Sequence, residues 1–433
     1  MAPKAMALRI LYLHQHFSTP DGATATRAYN HAAALAAAGH AVTLACGRYA
    51  GATTGLDGPF RHGARRGPVA GFEVVEFDLP YGNAQSLAHR SLVFLRYALA
   101  ASRLSLGQRW DLVIASSTPP TVAIPALLAR RLRGTPFLFE IRDPWPELPA
   151  ALSRPGPGSG ASTGSGGVPG AVLGAIGRLA DAACSRAAIV VALTEGMART
   201  ALARGTDPDR LRVLPQGADL ALFGPDARPW RPAEAREGEM VAVYAGAHGR
   251  ANGLGVLLDA AALLRATGIR ILLVGDGAEK PALVARAAAE DLPVTFLDPM
   301  PKRRLAGLLA GADVGLLCLA PVPEFAEWTA PNKLAECLAA GLPVVTNVPG
   351  RAQRLLAEGG CGLTVPPGDG AGLAAALLAM ADDPARRRVM ARAARALAER
   401  HFDSRQIAAR LVATVEAAAG HAPVSAIRAA LAP

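Results

Sequence analysis

The chain of 433 residues is poor in several features that would otherwise decide its class. Aromatic residues make up 5% of it, and arginines are scattered through helical stretches rather than massed beside aromatics or in a tail. A nucleic-acid reader is therefore not indicated. The five cysteines, Cys46, Cys184, Cys318, Cys337 and Cys361, are odd in number, widely spaced and set among apolar neighbours. That speaks against a disulfide framework and for buried thiols in a reducing compartment, and no Cys/His spacing resembles a zinc site. Long uninterrupted apolar runs are missing: the best, 168–193, contains Arg178, Asp181 and Arg186. The N-terminal MAPKAMALRILYLHQHF has one early lysine and only a short apolar stretch, and reads as a first β-strand rather than a signal peptide. The expectation is a cytoplasmic protein without a transmembrane anchor. Neither the dinucleotide fingerprint nor the P-loop occurs, which removes support from hydride-transfer and NTPase readings.

What is present is alanine, leucine, valine and glycine, with 51% hydrophobic residues. This suits a soluble α/β protein of two domains with close helix-to-sheet packing. The net charge of +10 is compatible with an anionic substrate and with peripheral contact at an anionic membrane.

Along the chain, strand 9–14, a loop to residue 25, a helix to about Ala38 and strand 41–45 form a βαβ unit, the signature of a parallel sheet covered by helices. Strands at 74–77, 112–115, 136–140, 189–192 and 211–214 follow, with helices between them. The run PGPGSGASTGSGGVPG, 155–170, cannot bury a core and reads as a flexible insertion. The polar run Asp226–Gly238 is the expected domain boundary, after which the pattern restarts with strands at 240–244, 269–274, 294–297 and 314–319. The expected division is 1–225, 239–403, and a tail 404–433 whose helix returns to the first domain.

The stretch EFAEWTAPNKLAECLAAGLPVVTN, 324–347, organises the second half. Pro331 suits a first helical turn, Leu334 and Leu338 mark a buried face, and Gly341 can end the helix in a left-handed cap. Lys333 and Glu336 share another face. A phosphate suits that N-terminus, where free N–H groups and the helix dipole favour anions, Lys333 adds a full charge, and Glu336 is placed to accept from a ribose diol. The alternative is a solvated Lys/Glu pair on a surface helix. Two strand-to-helix glycine loops, Gly246–Gly253 and Gly275-Asp276-Gly277, would let backbone amides approach a pyrophosphate, although many αβ turns look the same without a ligand. Loop 141–149 offers Arg142 to hold a phosphate and Asp143 to orient or deprotonate a hydroxyl, against the alternative of a salt-bridged surface turn. Arg27 near the first helix is placed to meet an anion or solvent. His14 and His16 are more often structural than catalytic in such settings.

These residues together resemble the retaining family 4 glycosyltransferases of GT-B fold, and most closely their WbuB type, associated with bacterial surface polysaccharides. The matching segments span about 8–415 and include YLHQHFSTPDGATATRAYNHAAALAAAGHAVTL, PFLFEIRDPWPEL, VYAGAHGRANGLGVLLDAA and APNKLAECLAAGLPVV. The resemblance implies two facing Rossmann-like, doubly wound parallel-sheet domains with a cleft between them. It implies a nucleoside-diphosphate sugar, UDP-linked, as donor in the C-terminal domain, and a saccharide acceptor, free or lipid-linked, in the N-terminal one. Transfer would proceed with retention and without metal or other cofactor, at the inner face of the cell membrane.

In the family pattern Glu336 would bind ribose, and Gly22 and Ala23 would approach the donor. The C-domain glycine loop maps to Gly246–Gly253, so that Gly246, His248, Gly249 and Arg250, with Gly275, Asp276, Lys333 and Leu334, would line the nucleotide site. Arg142 and Asp143, read from their own chemistry rather than from the family pattern, would align the acceptor or donor sugar and serve the reaction with Lys333. The chain departs from the pattern at Trp328, where a first glutamate is common, at Ala247 and Asn252, where arginine and lysine are common, and at Ala23 in place of a second glycine. A histidine frequent near the reacting sugar is not evident after Phe139. Two other readings keep the fold: a nucleotide-sugar epimerase that needs no acceptor, and a non-catalytic sugar-nucleotide-binding subunit.

Overall fold

The structure, a computed structural model, describes residues 7–82, 85–152 and 170–419. Apart from Gly170, the insertion 155–170 lies outside them, as does the tail after 419. The chain divides into two compact units: one runs to Pro215 and is joined by residues from Arg405 onward, and the other is Gln216–Ser404.

The first unit holds an eight-stranded sheet of β1 (Arg9–Leu13), β2 (Ala41–Tyr49), β3 (Ala64–Val69), β4 (Phe72–Tyr81), β5 (Leu112–Ser116), β6 (Phe137–Ile141), β7 (Ile189–Ala192) and β8 (Leu211–Val213). Their order is β3-β4-β2-β1-β5-β6-β7-β8, parallel except for β3, which runs antiparallel to β4. Central strands such as β5, LVIAS, are buried at every residue because helices cover both faces. Edge strand β3, ARRGPV, has no such apolar run and does not register as a strand in the sequence. Its proline is tolerated because the outer edge needs no ladder donor.

The second unit holds β9 (Met240–Ala245), β10 (Ile269–Val274), β11 (Val294–Leu297), β12 (Val314–Leu317), β13 (Val344–Thr346) and β14 (Gly362–Thr364). They are ordered β11-β10-β9-β12-β13-β14 and all parallel. This is a doubly wound sheet whose strand order reverses between β9 and β12, the position where such sheets bind ligands beyond their C-terminal strand ends. The corresponding reversal in the first sheet lies between β1 and β5.

The units part at Pro215, ahead of the Asp226–Gly238 run, because residues after 215 are sewn onto the second unit. Ala218 N donates to Phe402 O (2.8 Å), Trp230 N to Gly307 O (3.1 Å), and the Arg395 guanidinium to Leu220 O and Phe223 O. The helix Ser404–Ala418 packs Ile407, Leu411 and Val415 into the core of the first unit.

The helix of the organising stretch spans Asn332–Ala339. Pro331 is extended (ψ 127) and precedes it rather than opening its first turn. Gly341 has φ +71, and Leu342 N donates to Cys337 O at 2.9 Å, closing the left-handed cap that its position predicts. The short helix Phe325–Trp328 lies within what reads as a loop in the sequence, and the amphipathic helix Arg351–Glu358 joins β13 to β14.

Candidate active site

In the second unit the two glycine loops interlock. Gly246 N donates to Val274 O, His248 N to Asp276 O and Glu279 N to His248 O, each at 2.9 Å. A Cβ on Gly275 would fall 1.9 Å from Gly246 O and one on Gly277 2.4 Å from His248 O, so both glycines are required by close approach as well as by their positive φ. The amides of Gly246, His248 and Gly275 are thus spent on neighbouring main chain. These glycines shape the loop rather than presenting those N–H groups. His248 is fully buried, and burial pushes its imidazole down to about 4.

Lys333 crosses from the helix N-terminus to these loops. Its Nζ donates to Tyr244 Oη at 2.7 Å and to Asn252 Oδ1 at 2.9 Å, and stands 4.3 Å from the Tyr244 ring centroid. Burial lowers its ammonium to about 8, with Cys318, Cys337 and Glu336 opposing the shift. Two of its three donors meet neutral oxygens, which leaves an ammonium suited to an incoming anion. The sequence signal for Asn252 was its departure from a family lysine; the structure shows its amide oxygen holding Lys333 instead. Tyr244, the penultimate residue of a buried strand, carries no local signal of its role.

Glu336 does not pair with Lys333. Its Oε1 accepts from Lys302 Nζ at 2.5 Å, both residues 7% exposed, so the Lys/Glu pair is neither solvated nor mutual. Lys302 and Lys280 are charges that sequence reasoning missed; the latter donates to Gly275 O (3.0 Å) and Asp298 Oδ1 (2.7 Å). Leu334 is buried and its amide donates to Pro331 O, so its side chain serves the core. Arg250 and Asp276 are exposed on their loops, and Gly249 is half-buried.

In the first unit a polar cluster surrounds the reversal of strand order. Arg27 is buried: its guanidinium donates to Glu140 Oε1 (2.9 Å), Leu214 O (3.1 Å) and Pro215 O (2.6 Å). It is therefore a brace between strand ends and not a receptor for a substrate anion. Burial works to raise the Glu140 carboxyl, but Arg27 foremost, helped by the Ser116 hydroxyl, holds it at about 2. His14 Nδ1 lies 3.4 Å from Ser116 O, and its Nε2 lies 2.7 Å from Arg142 NH1. A carbonyl only accepts and a guanidinium only donates, so this imidazole is the neutral Nδ1–H tautomer. Burial and Arg142 push its pKa well down. Arg142 is thereby aimed by His14, and Asp143 Oδ2 accepts from Thr118 Oγ1 at 2.6 Å. His16 packs against the rings of Tyr49 and Tyr81, which also stack on each other. The amide of Gly22 donates to Thr19 O within its own loop, and that of Ala23 to Gly51 O in the loop after β2.

Both units match known domains. The glycosyl transferase 4-like domain matches residues 22–217, and the glycosyl transferases group 1 domain matches residues 239–383. The chain belongs to the family 4 glycosyltransferases. These are transferase enzymes, and the solved structures similar to this family member share its GT-B fold. It is 35% identical over 231 residues, 50% of its own length and 53% of the relative, to D-inositol 3-phosphate glycosyltransferase of Pseudarthrobacter chlorophenolicus. The chain spans about half the length of the curated relatives it matches. Sucrose-phosphate synthase of Thermosynechococcus elongatus superposes with a TM-score of 0.69 at 19% identity, covering 93% of this chain and 97% of that one. HepE of Anabaena, solved with UDP-glucose, gives 0.63 at 19% identity over 95% and 100%.

Proposed function

We propose that this chain transfers a sugar from a nucleoside diphosphate, UDP-linked, to a saccharide acceptor on a lipid carrier. The reading includes retention of anomeric configuration, no metal, and a role in surface-polysaccharide assembly of the WbuB type. The observation that carries it is the Lys333 ammonium, held by Tyr244 and Asn252 beside two glycine loops where the strand order of the second sheet reverses. In the step, the bond from C1 of the sugar to the diphosphate oxygen breaks and an acceptor hydroxyl oxygen bonds C1 on the same face. The hydroxyl proton leaves with the diphosphate. Lys333 stabilises the charge that develops on the leaving group. Arg142, aimed by His14, and Asp143, tethered to Thr118, are assigned to aligning the acceptor.

Titration calorimetry with UDP, GDP and ADP in EDTA is expected to show UDP binding that Lys333→Met weakens at least tenfold. Binding of no nucleotide sinks the proposal; binding of GDP or ADP alone moves the donor. Product analysis with UDP-sugars separates transfer from epimerisation.

The carrier lipid and the inner membrane face are argued from the first unit. Among the described residues no helix is long and apolar enough to cross a membrane. The helix Leu87–Gly107 exposes Leu92, Leu95 and Leu99 by half or more, beside exposed Arg96 and Arg103. The adjoining helix Ala123–Arg133 adds Leu132 and three arginines in its last turn, and neither helix contains an acidic residue. Leucines ringed by arginines suit an anionic bilayer surface. Co-flotation with phosphatidylglycerol vesicles, absent with phosphatidylcholine and lost in a Leu95→Asp/Leu99→Asp variant, is the expected result; no flotation with either lipid rejects the membrane contact.

A further inference from the structure

An open hollow lies at the C-terminal ends of β12, β13 and β14, walled by Leu319, Pro321, Val322, Phe325, Val348 and Pro349. Its main-chain donors can be accounted for one by one. The prolines of the wall have no N–H. Leu319 N donates to Asn347 Oδ1, Ala320 N to Ala251 O, Val322 N to Ala320 O, Phe325 N to Val322 O, Asn347 N to Leu317 O, and Val348 N to Thr346 Oγ1. Asn347 supplies the one polar side chain of the wall, and its amide is turned onto Leu319, accepting from its N and donating to its O, both at 3.0 Å. The wall therefore presents alkyl surface and no free main-chain donor. A phosphate, or any other group that needs a donor, would lose its water there without replacement.

The hollow is joined to the Lys333 site. Ala320 of its wall bonds Ala251, and a Cβ on Gly253 would fall 2.9 Å from Ala320 Cα. Between these two contacts stands Asn252, which holds Lys333. A group seated in the hollow thus sits one loop away from a diphosphate held on Lys333. We propose that the hollow receives a methyl group of the donor sugar, supplied by a 2-acetamido group or by a 6-deoxy carbon. The site then selects a methyl-bearing donor over a plain hexose. This rests on the donor reading above.

The test is calorimetric titration of the full chain with UDP, UDP-glucose, UDP-N-acetylglucosamine and UDP-6-deoxyglucose. One of the two methyl-bearing donors is expected to bind about tenfold tighter than UDP-glucose, the scale on which apolar pockets discriminate a small alkyl group. Which of the two does so names the source of the methyl. Val322→Trp, at a half-buried position, is expected to erase the preference while leaving UDP affinity within twofold; Val348→Phe fills the same hollow from its other side and serves if the first variant does not fold. Equal affinity for all three UDP-sugars in the unmodified protein, or a preference that survives both fillings, overturns the proposal while UDP binding keeps the transferase reading. Failure of UDP itself to bind removes both.

Discussion

Glu336→Ala is expected to destabilise the second unit by about 3–5 kcal/mol, seen as a lower midpoint of denaturant unfolding. The cause is Lys302. Its ammonium lies 2.5 Å from Glu336 Oε1, and each residue is 7% exposed, so deleting the carboxylate strands a buried charge between the helices Asn332–Ala339 and Lys302–Gly311. Lys302→Met alone should cost a similar amount for the mirror reason. The double variant should recover most of the loss, because two apolar groups of comparable volume need no partner. A double-mutant cycle on unfolding free energies reads this directly; additive losses would mean that the ion pair is not coupled. The consequence reaches function. Alanine at 336 mixes a folding defect with any loss of ribose binding, whereas Glu336→Gln keeps an oxygen for Lys302 and removes only the charge.

This pairing also marks where sequence reading ends. The parallel strands are legible because strands covered on both faces are written as short apolar runs, as in VAVY of β9 and ILLV of β10. Strand β3 is not, since an edge strand alternates polar residues and admits Gly67 and Pro68. The helix with Lys333 and Glu336, and its stop at Gly341, follow from local spacing alone. Their partners do not. Tyr244, Asn252 and Lys302 come from other elements, 34 to 89 residues away in the chain, and helical periodicity carries no information about which strand end a side chain will meet. Arg27 shows the converse: its position beside a helix N-terminus suggests an anion, but Glu140, the one charged residue of the strand FLFEI, claims it first.

UDP affinity is expected to fall by no more than about twofold between pH 7 and 8 and by up to about tenfold per unit above that. The sign follows from linkage. Burial holds the free Lys333 ammonium at about 8, against an ordinary 10.5. A diphosphate beside it restores the charge, so its pKa rises on binding. Well below 8 the lysine is protonated in both states and binding needs no proton. As pH passes through 8 a growing share of binding events must take one up, and the affinity drops accordingly. The groups around it do not confuse the reading: burial raises the Tyr244 hydroxyl far above this window and the Cys318 and Cys337 thiols to about 12, while His248 is already neutral. Calorimetry at pH 8.5 in buffers of different ionisation enthalpy should therefore report uptake of a fraction of a proton per UDP bound. Lys333→Arg should bind without pH dependence across the window, since a guanidinium stays charged throughout. Lys333→Met should be weak and equally flat. An unmodified protein whose UDP affinity holds constant from pH 7 to 10, with no proton uptake, would place the diphosphate somewhere other than on Lys333.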